Sequence, residues 1–379
     1  MNLLLDATQE LFRSTVREFA EREIAPVAAA FDEAEAYPAE NVAKMGQLGL
    51  MGLTVPQEFG GAGAGAVEYA LAMEEISRAC AAHAVTLTVN VSLVCEPIYK
   101  HGTPHQRQRF LPRLCSGEMV GAYCLSEPAS GSDARHMQTR ATRRGDSYVL
   151  NGTKNFISNG DVAGLYIIYA ATQDDGGGIT AFLVEADRPG LRPGAREKKL
   201  GIRASPTTQV HFDDCVVPGE HVLGEVGGGF RLAMSTLEGG RIGVAAQAVG
   251  IAQAAYEAAV GYARQRHAFG QAISEFQGLQ WMLADMATRI DAARLLVHRA
   301  AQLKDRGRPF GQESSMAKLM ASETAMWVAT KALQIHGGYG YIRDSAVQRY
   351  FRDAKITEIY EGTSEIQRLI IARQILREP

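Results

Sequence analysis

The chain has 379 residues, 46% of them hydrophobic, and a net charge of −3 with both signs mixed along its length. This length predicts about two or three domains with a large buried core. The charge distribution has no basic stripe of the kind that binds nucleic acid. No window approaches the roughly 18 uninterrupted apolar residues of a membrane span, so we expect none.

The first six residues lack the positive and apolar segments of a signal peptide. Five cysteines are scattered singly along the chain, which predicts reduced, packed thiols and a cytoplasmic protein. The nine histidines are dispersed and form no close ligand pair. We therefore expect no metal site.

The first third of the chain has a helical pattern. Asp6 and Gln9 have the spacing of a capping box, and Pro38 and Pro104 each begin a further helix. Residues 84–99 are apolar on nearly every side, which predicts a helix buried between other layers. Residues 1–119 are predicted to form an N-terminal all-α domain.

The pattern then changes to the period of a β-strand. Residues 165–171 and 179–185 are predicted strands, and residues 148–158 are predicted to form a hairpin through an Asn151-Gly152 turn. Strands at this spacing without intervening helices indicate antiparallel pairing. Residues 120–223 are therefore predicted to form a middle antiparallel, β-barrel-like domain.

Helical periodicity returns after residue 229. Apolar residues alternate at spacings of three and four, as in the seam of a helical bundle; they are Phe276, Leu279, Leu283, Met286, Ile290, Ala293 and Val297. Residues 224–379 are predicted to form a C-terminal four-helix bundle domain. The predicted fold class is α+β and mostly α.

A carboxylate near the end of the chain lies on a predicted turn. Glu361 precedes Gly362, which permits a sharp turn, and Ser364 with Gln367 has the spacing of a capping box. A carboxylate at such a place is a general base, a partner of the helix dipole or an ordinary surface group. These residues alone leave the three readings open.

Four motifs resemble those of the acyl-CoA dehydrogenase family, in the family's order and over essentially the whole chain. They are YCLSEPASGSDA at residues 123–134, NGTKNFISNG at 151–160, RHAFG at 266–270, and the stretch around Glu361. The resemblance implies FAD as the cofactor and α,β-dehydrogenation of an acyl-CoA to a trans-2-enoyl-CoA. In this reaction Glu361 takes the α-proton and flavin N5 takes the β-hydride.

The resemblance also implies which residues hold FAD. Some line the flavin within one chain, others reach across a subunit interface, and two more follow the predicted base. In chain order they are Tyr123, Leu125, Ser126, Gly131, Ser132, Phe156, Ile157, Ser158, Arg266, Phe269, Gln277, Gln334, Gly337, Gly338, Thr363 and Glu365. One departure is Phe156, which stands where many family members have Trp, so the aromatic face is kept and the indole N–H is lost.

For the substrate, the resemblance implies contacts from Ser132, Glu238, Arg241 and Gly362. Some subfamilies place their catalytic glutamate immediately before the arginine that corresponds to Arg241. That position is Gly240 here, which has no side chain, so Glu361 is the expected base. This arrangement is most like the short-chain and short-branched-chain branch, with butyryl-CoA and 2-methyl-branched acyl-CoA as rival substrates.

The implied partners are an acyl-CoA, an electron-transfer flavoprotein and further copies of the chain, at least a dimer and typically a tetramer. The implied processes are fatty-acid β-oxidation and branched-chain amino-acid degradation. Two alternatives remain open at this point. One is an acyl-CoA oxidase that passes electrons to O₂, and the other is a non-catalytic scaffold that binds acyl-thioesters.

Overall fold

The computed structural model describes residues 5–172 and 177–376, so the first four residues, used above to judge the signal peptide, lie outside it. Its N-terminal part is helical, as predicted, and the Asp6–Gln9 capping box is present. The helices are α1 (Ala7–Phe19), α2 (Ala28–Ala34), α3 (Ala39–Gln47), α4 (Ala66–Ala79), α5 (Ala81–Thr88), α6 (Glu96–His101) and α7 (Pro104–Cys115).

A π-helical segment, Val89–Cys95, joins α5 to α6 into one long helix in the core. Within the described residues, the stretch Ala81–His101 has the length and apolar composition that a membrane crossing requires, yet 94% of its apolar 18-residue window is buried inside the protein. Burial by protein on all sides is what a core helix shows. The prediction of a helix between layers is therefore confirmed.

The middle of the chain forms a sheet. Its strands are β1 (Gly121–Cys124), β2 (Arg140–Arg144), β3 (Ser147–Ser158), β4 (Leu165–Thr172), β5 (Ile179–Glu185), β6 (Leu191–Arg196), β7 (Thr207–Pro218) and β8 (Val222–Leu223). They follow the order β6-β7-β3-β2-β4-β5-β8, with β1 beside β4. Most pairs are antiparallel, as predicted, but β4 pairs in parallel with both β1 and β2, which corrects a purely antiparallel reading.

The predicted hairpin at Asn151-Gly152 is wrong. These two residues lie inside the continuous strand β3, which pairs with β7 through a register shift between Leu150 and Gly152. The Asn151 amide donates to the Asp214 carboxylate at 3.0 Å and accepts from the Asp214 backbone N–H at 2.8 Å. An Asn-Gly pair that signals a turn here accommodates a β-bulge instead.

The C-terminal part contains α8 (Gly229–Gln265), the short strands β9 (His267–Ala268) and β10 (Gln271–Ala272), α9 (Gln277–Asp305), α10 (Gly311–His336), α11 (Ala346–Thr357) and α12 (Ser364–Ile375). The predicted bundle is confirmed. Of its seven seam residues, four are buried and three are half-buried: Met286, Ile290, Ala293 and Val297, and Phe276, Leu279 and Leu283 respectively. Helix α8 packs against α9 and α10 and also against α4. The two helical regions thus share one core along α8.

The glycine-rich loop before α4 resembles a phosphate-binding loop only in composition. The Asp305 carboxylate, at the end of α9, accepts hydrogen bonds from the backbone N–H groups of Ala66 and Val67 at 2.6 and 3.1 Å. A helix N-terminus whose free donors already bind a carboxylate has no need of an anion. The loop therefore connects elements and caps α4.

Candidate active site

Glu361 lies in the turn between α11 and α12 and has a left-handed backbone, with a φ of 53°. Gly362 follows with a φ of 96°. Two side chains bind the backbone carbonyls of this turn. Lys318 Nζ donates to the Gly362 carbonyl at 2.7 Å, and Gln367 Nε2 donates to the carbonyls of Glu361 and Gly362 at 3.3 and 2.9 Å. These bonds stabilise a conformation that is unfavourable for a glutamate.

The predicted capping box at Ser364 and Gln367 is wrong by one residue at its start. Thr363 is the N-cap of α12, and its hydroxyl accepts from the Ile366 backbone N–H at 3.4 Å. Gln367 is fully buried and faces the preceding turn. The polar residue expected to cap the helix therefore fixes the backbone that carries Glu361.

Glu361 as a whole is half-buried. Its Oε2 atom, however, is buried and has no hydrogen-bond partner among the residues that the structure describes. Burial raises the pKa of this carboxyl to about 7, and the positive charges of Lys318 and Arg241 oppose that rise. A carboxylate with a pKa near neutrality and an unpartnered oxygen suits the role of a general base.

Gly240 on α8 lies directly beneath this carboxylate. A methyl group at Gly240 would lie 2.2 Å from Glu361 Oε2 and 3.0 Å from Leu93 Cδ2. Real side chains essentially never come so close, so the position of the carboxylate requires a glycine here. Gly240 therefore has two consequences: it excludes a competing base at its own position, and it leaves space for the Glu361 carboxylate.

Arg241 follows on α8 and is 5% exposed. Its Nη1 atom donates to the Ser315 hydroxyl at 3.3 Å, while its Nε atom is buried without a partner. Burial lowers the pKa of the guanidinium, and the charges of Glu238 and Glu361 oppose that shift. Glu238, one turn earlier and half-buried, has its carboxylate close to Gly311 at the start of α10.

Lys318 was missed in the sequence. It is fully buried on α10, and burial lowers the pKa of its ammonium to about 8. Its neighbours on the buried face of α10 are alanines and serines, including Ala317 and Ala321. A single lysine within such a face was the available signal, because a buried lysine needs a specific partner.

The two motifs of the sheet region lie side by side, since the Asn155 backbone N–H donates to the Ser126 carbonyl at 2.8 Å. A buried ion pair supports them: Lys154 Nζ is 2.7 Å from Glu127 Oε1 and 3.1 Å from the Leu125 carbonyl. Sequence reasoning missed this pair as well. It connects β3 to the loop after β1 and so fixes one motif against the other.

Most of the residues predicted to line the flavin are accessible to solvent on the surface formed by the 123–134 and 151–160 motifs, here called the sheet surface. Phe156 is 68% exposed and has a φ of 57°. Gly131 and Ser132 are exposed, and a methyl group at Gly131 would have nothing within 4 Å. Ser126 and Ser158 are half-buried, whereas Leu125 and Ile157 are buried beneath them.

A third group of predicted residues lies at the far ends of α8 and α10. Arg266 packs over the Tyr339 ring, 5.6 Å from its centroid, beside a groove of about 530 Å³. Gly337 and Gly338 line the same groove. The other members of the group are also exposed: Phe269, which is 96% exposed, Gln277 and Gln334.

This third group is not brought to Glu361 within one chain. Twenty-five residues of α8 separate Gly240 from Gln265, which corresponds to about 37 Å of helix at 1.5 Å per residue. The sheet surface lies nearer to the base, because the Tyr123 hydroxyl donates to the Ala233 carbonyl of α8 at 3.4 Å. The structure therefore assembles the predicted site residues into one internal group and one outlying group.

Backbone strain coincides with the predicted site. Among the described residues, seven that are not glycine have a positive φ, and three of these are Phe156, Phe269 and Glu361. Such conformations cost about 1–3 kcal/mol each and concentrate at functional positions. All three residues come from motifs that the sequence singled out for cofactor or substrate.

Comparison with known proteins agrees with these observations. The N-terminal, middle and C-terminal domain models of acyl-CoA dehydrogenase match residues 6–118, 122–215 and 227–376. The chain belongs to the acyl-CoA dehydrogenase family. It is an oxidoreductase, and its cofactor is FAD.

Full-length relatives include short-chain members of the family. The chain is 50% identical over 379 residues, 100% of both chains, to the short-chain specific acyl-CoA dehydrogenase of Clostridium acetobutylicum. It matches the structure of butyryl-CoA dehydrogenase from Megasphaera elsdenii with a TM-score of 0.97 and 44% identity over 100% of both chains. It also matches a chain in a structural study of the electron transferring flavoprotein of Acidaminococcus fermentans, with a TM-score of 0.98, 47% identity and 100% coverage of both.

The residues present fit a flavin. Phe156 offers an exposed aromatic face on a strained backbone, and Gly131 leaves the adjacent loop open. Within residues 5–172 and 177–376, the buried Oδ1 atom of Asn155 and the buried Oε2 atom of Glu361 have no hydrogen-bond partner. A buried amide oxygen without a partner, next to an exposed aromatic ring, suits a polar, planar cofactor.

Proposed function

We propose that this protein catalyses the FAD-dependent α,β-dehydrogenation of a short-chain acyl-CoA to a trans-2-enoyl-CoA, with Glu361 as the base that takes the α-proton. The observation that carries the proposal is the position of Glu361 Oε2, which is buried over Gly240 and has no hydrogen-bond partner among the described residues. A pKa of about 7 leaves a substantial fraction of this carboxyl ionised at neutral pH. FAD, when bound, supplies the acceptor for the hydride that leaves the β-carbon.

The Glu361 turn also presents backbone to the substrate. An α-proton beside a thioester is removed more easily when hydrogen-bond donors stabilise charge on the carbonyl oxygen. We assign this role to the backbone N–H of Glu361, with Gly362 beside the thioester. Lys318 and Gln367 fix the carbonyls of the same turn, so the donor and the carboxylate are oriented together.

The CoA part is assigned to Arg241, Glu238 and Ser132. The Arg241 Nε atom is buried and unpartnered, so a guanidinium donor remains for an acceptor on the substrate. Flavin contacts are assigned to the residues of the sheet surface and, after the base, to Thr363 and Glu365. Phe156 supplies the aromatic face against the ring.

The outlying group is assigned to the FAD of another subunit. Since about 37 Å of α8 separates it from the base, Arg266, Phe269, Gln277 and the segment from Gln334 to Gly338 serve a cofactor site in a second copy. A guanidinium suits a pyrophosphate. The site is therefore complete only in a homo-oligomer, for which a tetramer is the expected form.

Electrons then pass to an electron-transfer flavoprotein, and the protein works in the cytoplasm. The relatives named above support acyl-CoA dehydrogenation as the reaction. We also propose that the chain divides into three domains at residues 1–119, 120–223 and 224–379. The proposed metabolic role is fatty-acid β-oxidation. Because the chain belongs to an enzyme family, the scaffold alternative is not retained.

A panel of acyl-CoA substrates tests the proposed activity. Straight chains of increasing length and 2-methyl-branched chains are compared by kcat/KM with an artificial electron acceptor. We expect butyryl-CoA to give the highest value. A maximum at a long chain or at a 2-methyl-branched substrate would contradict the assignment to short straight chains.

The oxidase alternative is tested with O₂ as the sole acceptor. We expect peroxide to form at least 100-fold more slowly than turnover with electron-transfer flavoprotein, a difference of about 2.7 kcal/mol in barrier. Peroxide formation that keeps pace with turnover would identify an oxidase.

A further inference from the structure

Three hydroxyl groups lie together in the core beside the Glu361 turn. Tyr69 on α4, Thr88 on α5 and Ser92 in the π-helical segment are 1%, 1% and 2% exposed. The Tyr69 hydroxyl is 2.7 Å from Thr88 Oγ1, and Thr88 Oγ1 is 3.3 Å from Ser92 Oγ. The mechanism assigned above uses none of the three.

Helix α8 places this group relative to the base. A methyl group at Gly243 would lie 2.1 Å from the Tyr69 hydroxyl oxygen and 2.7 Å from Thr88 Oγ1. Gly240, which carries the Glu361 carboxylate above it, is three residues earlier. Residues three apart lie on one face of a helix, separated by about 4.5 Å along its axis. The Tyr69 hydroxyl is therefore about one helical turn beyond the carboxylate.

A contact near the N-terminus of α8 shows on which side of the base the flavin surface lies. The Tyr123 hydroxyl, on the surface assigned to the flavin, donates to the Ala233 carbonyl, which is seven residues before Gly240. Along one helix, the order is thus the flavin surface, the base and then the Tyr69 hydroxyl. Leu93 of the π-helical segment is 5% exposed, and its Cδ2 atom would lie 3.0 Å from a methyl group at Gly240.

We infer that the Tyr69 hydroxyl, held between Gly243 and Thr88, is the end wall of the acyl pocket and limits the enzyme to short acyl chains. This inference rests on the proposed function. An acyl chain that runs along α8 from the Glu361 carboxylate meets the Tyr69 hydroxyl after about one helical turn, because these two groups contact α8 at Gly240 and Gly243. A longer chain collides with a buried ring that the surrounding core does not allow to move.

The hydrogen bonds of the wall suit an apolar chain end. Ser92 Oγ donates to the Thr88 carbonyl at 2.7 Å, so Thr88 donates to Ser92 and Tyr69 donates to Thr88. All three hydroxyl protons are then used within the wall. A terminal methyl group therefore meets no unsatisfied donor, which avoids the cost of leaving one buried.

The Tyr69→Phe variant removes only the hydroxyl and leaves the ring in place. We expect the ratio of kcat/KM for hexanoyl-CoA to that for butyryl-CoA to rise about tenfold, within the range that one methylene is worth in an apolar pocket. Tyr37→Phe is the matched control. It removes a partly buried tyrosine hydroxyl that lines a separate cavity of about 400 Å³ beside α3, and its ratio should equal that of wild type.

A binding measurement gives a second readout that needs no turnover. The measurement is the increase in Tm that each acyl-CoA causes in protein carrying Glu361→Gln. Adding Tyr69→Phe should raise the ratio of the hexanoyl-CoA shift to the butyryl-CoA shift. If wild type turns over butyryl-CoA while both ratios stay within twofold of wild type, the wall is overturned and the proposed function stands. If flavin-loaded wild type turns over no acyl-CoA, the proposed function fails and this inference fails with it.

Discussion

The Glu361 centre and the Arg266 group differ in almost every physical respect. The centre is buried, and Lys318 and Gln367 hold its backbone within one chain. The Arg266 group is exposed, with Phe269 96% accessible and the guanidinium packed over the Tyr339 ring. Under the proposed function, one chain holds all the residues assigned to the chemical step, whereas its Arg266 group serves the cofactor site of another copy.

The largest expected effect comes from crowding the buried centre. Gly240→Ala places a methyl group 2.2 Å from the native position of Glu361 Oε2, so the carboxylate must move. A displacement of this size in a reacting group costs about 100-fold in kcat. Steady-state kinetics with butyryl-CoA measure the loss.

Gly261→Ala is the matched control on the same helix, because a methyl group there has nothing within 4 Å. It should retain the wild-type kcat. Activity of Gly240→Ala close to that of Gly261→Ala would show that the carboxylate does not need its place above the glycine.

The second prediction concerns the exposed group. Arg266→Ala should weaken FAD retention by about 10- to 100-fold, the effect of losing one hydrogen-bonded ion pair. Equilibrium dialysis of FAD against the purified oligomer measures this change. Arg264→Ala, an exposed arginine two residues earlier on α8, serves as the control and should retain FAD as wild type does; equal retention by both variants would contradict a cofactor role for Arg266.

The third prediction concerns the charge beside the base. The ammonium of Lys318 lowers the pKa of Glu361 against the rise caused by burial. Removing it in Lys318→Met leaves the carboxyl protonated to higher pH, so the acid limb of the kcat/KM profile should move upward by about one pH unit.

Lys331→Met, also on α10, removes a charge that lies over the Trp327 ring instead. Its pH profile should coincide with that of wild type. An acid limb that stays in place in Lys318→Met would mean that Lys318 acts on the turn through its hydrogen bond to Gly362 alone.

The smallest expected effect is on stability. The pKa of Glu361 in the folded protein, about 7, lies above its ordinary value of 4.5, so the ionised carboxylate destabilises the folded state progressively between these two values and fully above pH 7. Glu361→Gln removes that cost. Its Tm relative to wild type should therefore rise by a few degrees between about pH 5 and about pH 8, measured without acyl-CoA.

Glu365→Gln should change stability with pH in the opposite direction. The backbone N–H of Glu365 and the Thr363 hydroxyl lower the pKa of this exposed carboxyl, so its charged form is favoured in the folded state. The substitution should not gain stability as pH rises. A gain equal to that of Glu361→Gln would remove burial as the cause.

Much of this contrast was accessible from the sequence. The change of hydrophobic period marked the helical, sheet and bundle regions, and the motifs located Glu361, Arg241 and Arg266. Gly240 excluded the competing position for a base. Each of these signals is local in the chain or repeats along it, which is why sequence reasoning found them.

The residues that hold the site in place could not be predicted from the sequence in the same way. Lys318 lies 43 residues before Glu361 in the chain and is linked to it only by the packing of α10 against the turn. Gln367 matched a capping box, and only the tertiary structure shows that its amide faces backward to the turn. The Asn151–Asp214 contact likewise overrode a local turn signal. Contacts between distant segments decide these cases.

The most direct test of the central claim is anaerobic addition of butyryl-CoA to flavin-loaded protein, with the visible flavin absorbance as the readout. Wild type should lose this absorbance within the dead time of mixing or within a few turnover times. Glu361→Gln, purified with the same flavin content, should bind butyryl-CoA and keep its absorbance. Loss of flavin absorbance in Glu361→Gln at the wild-type rate would show that another group takes the α-proton.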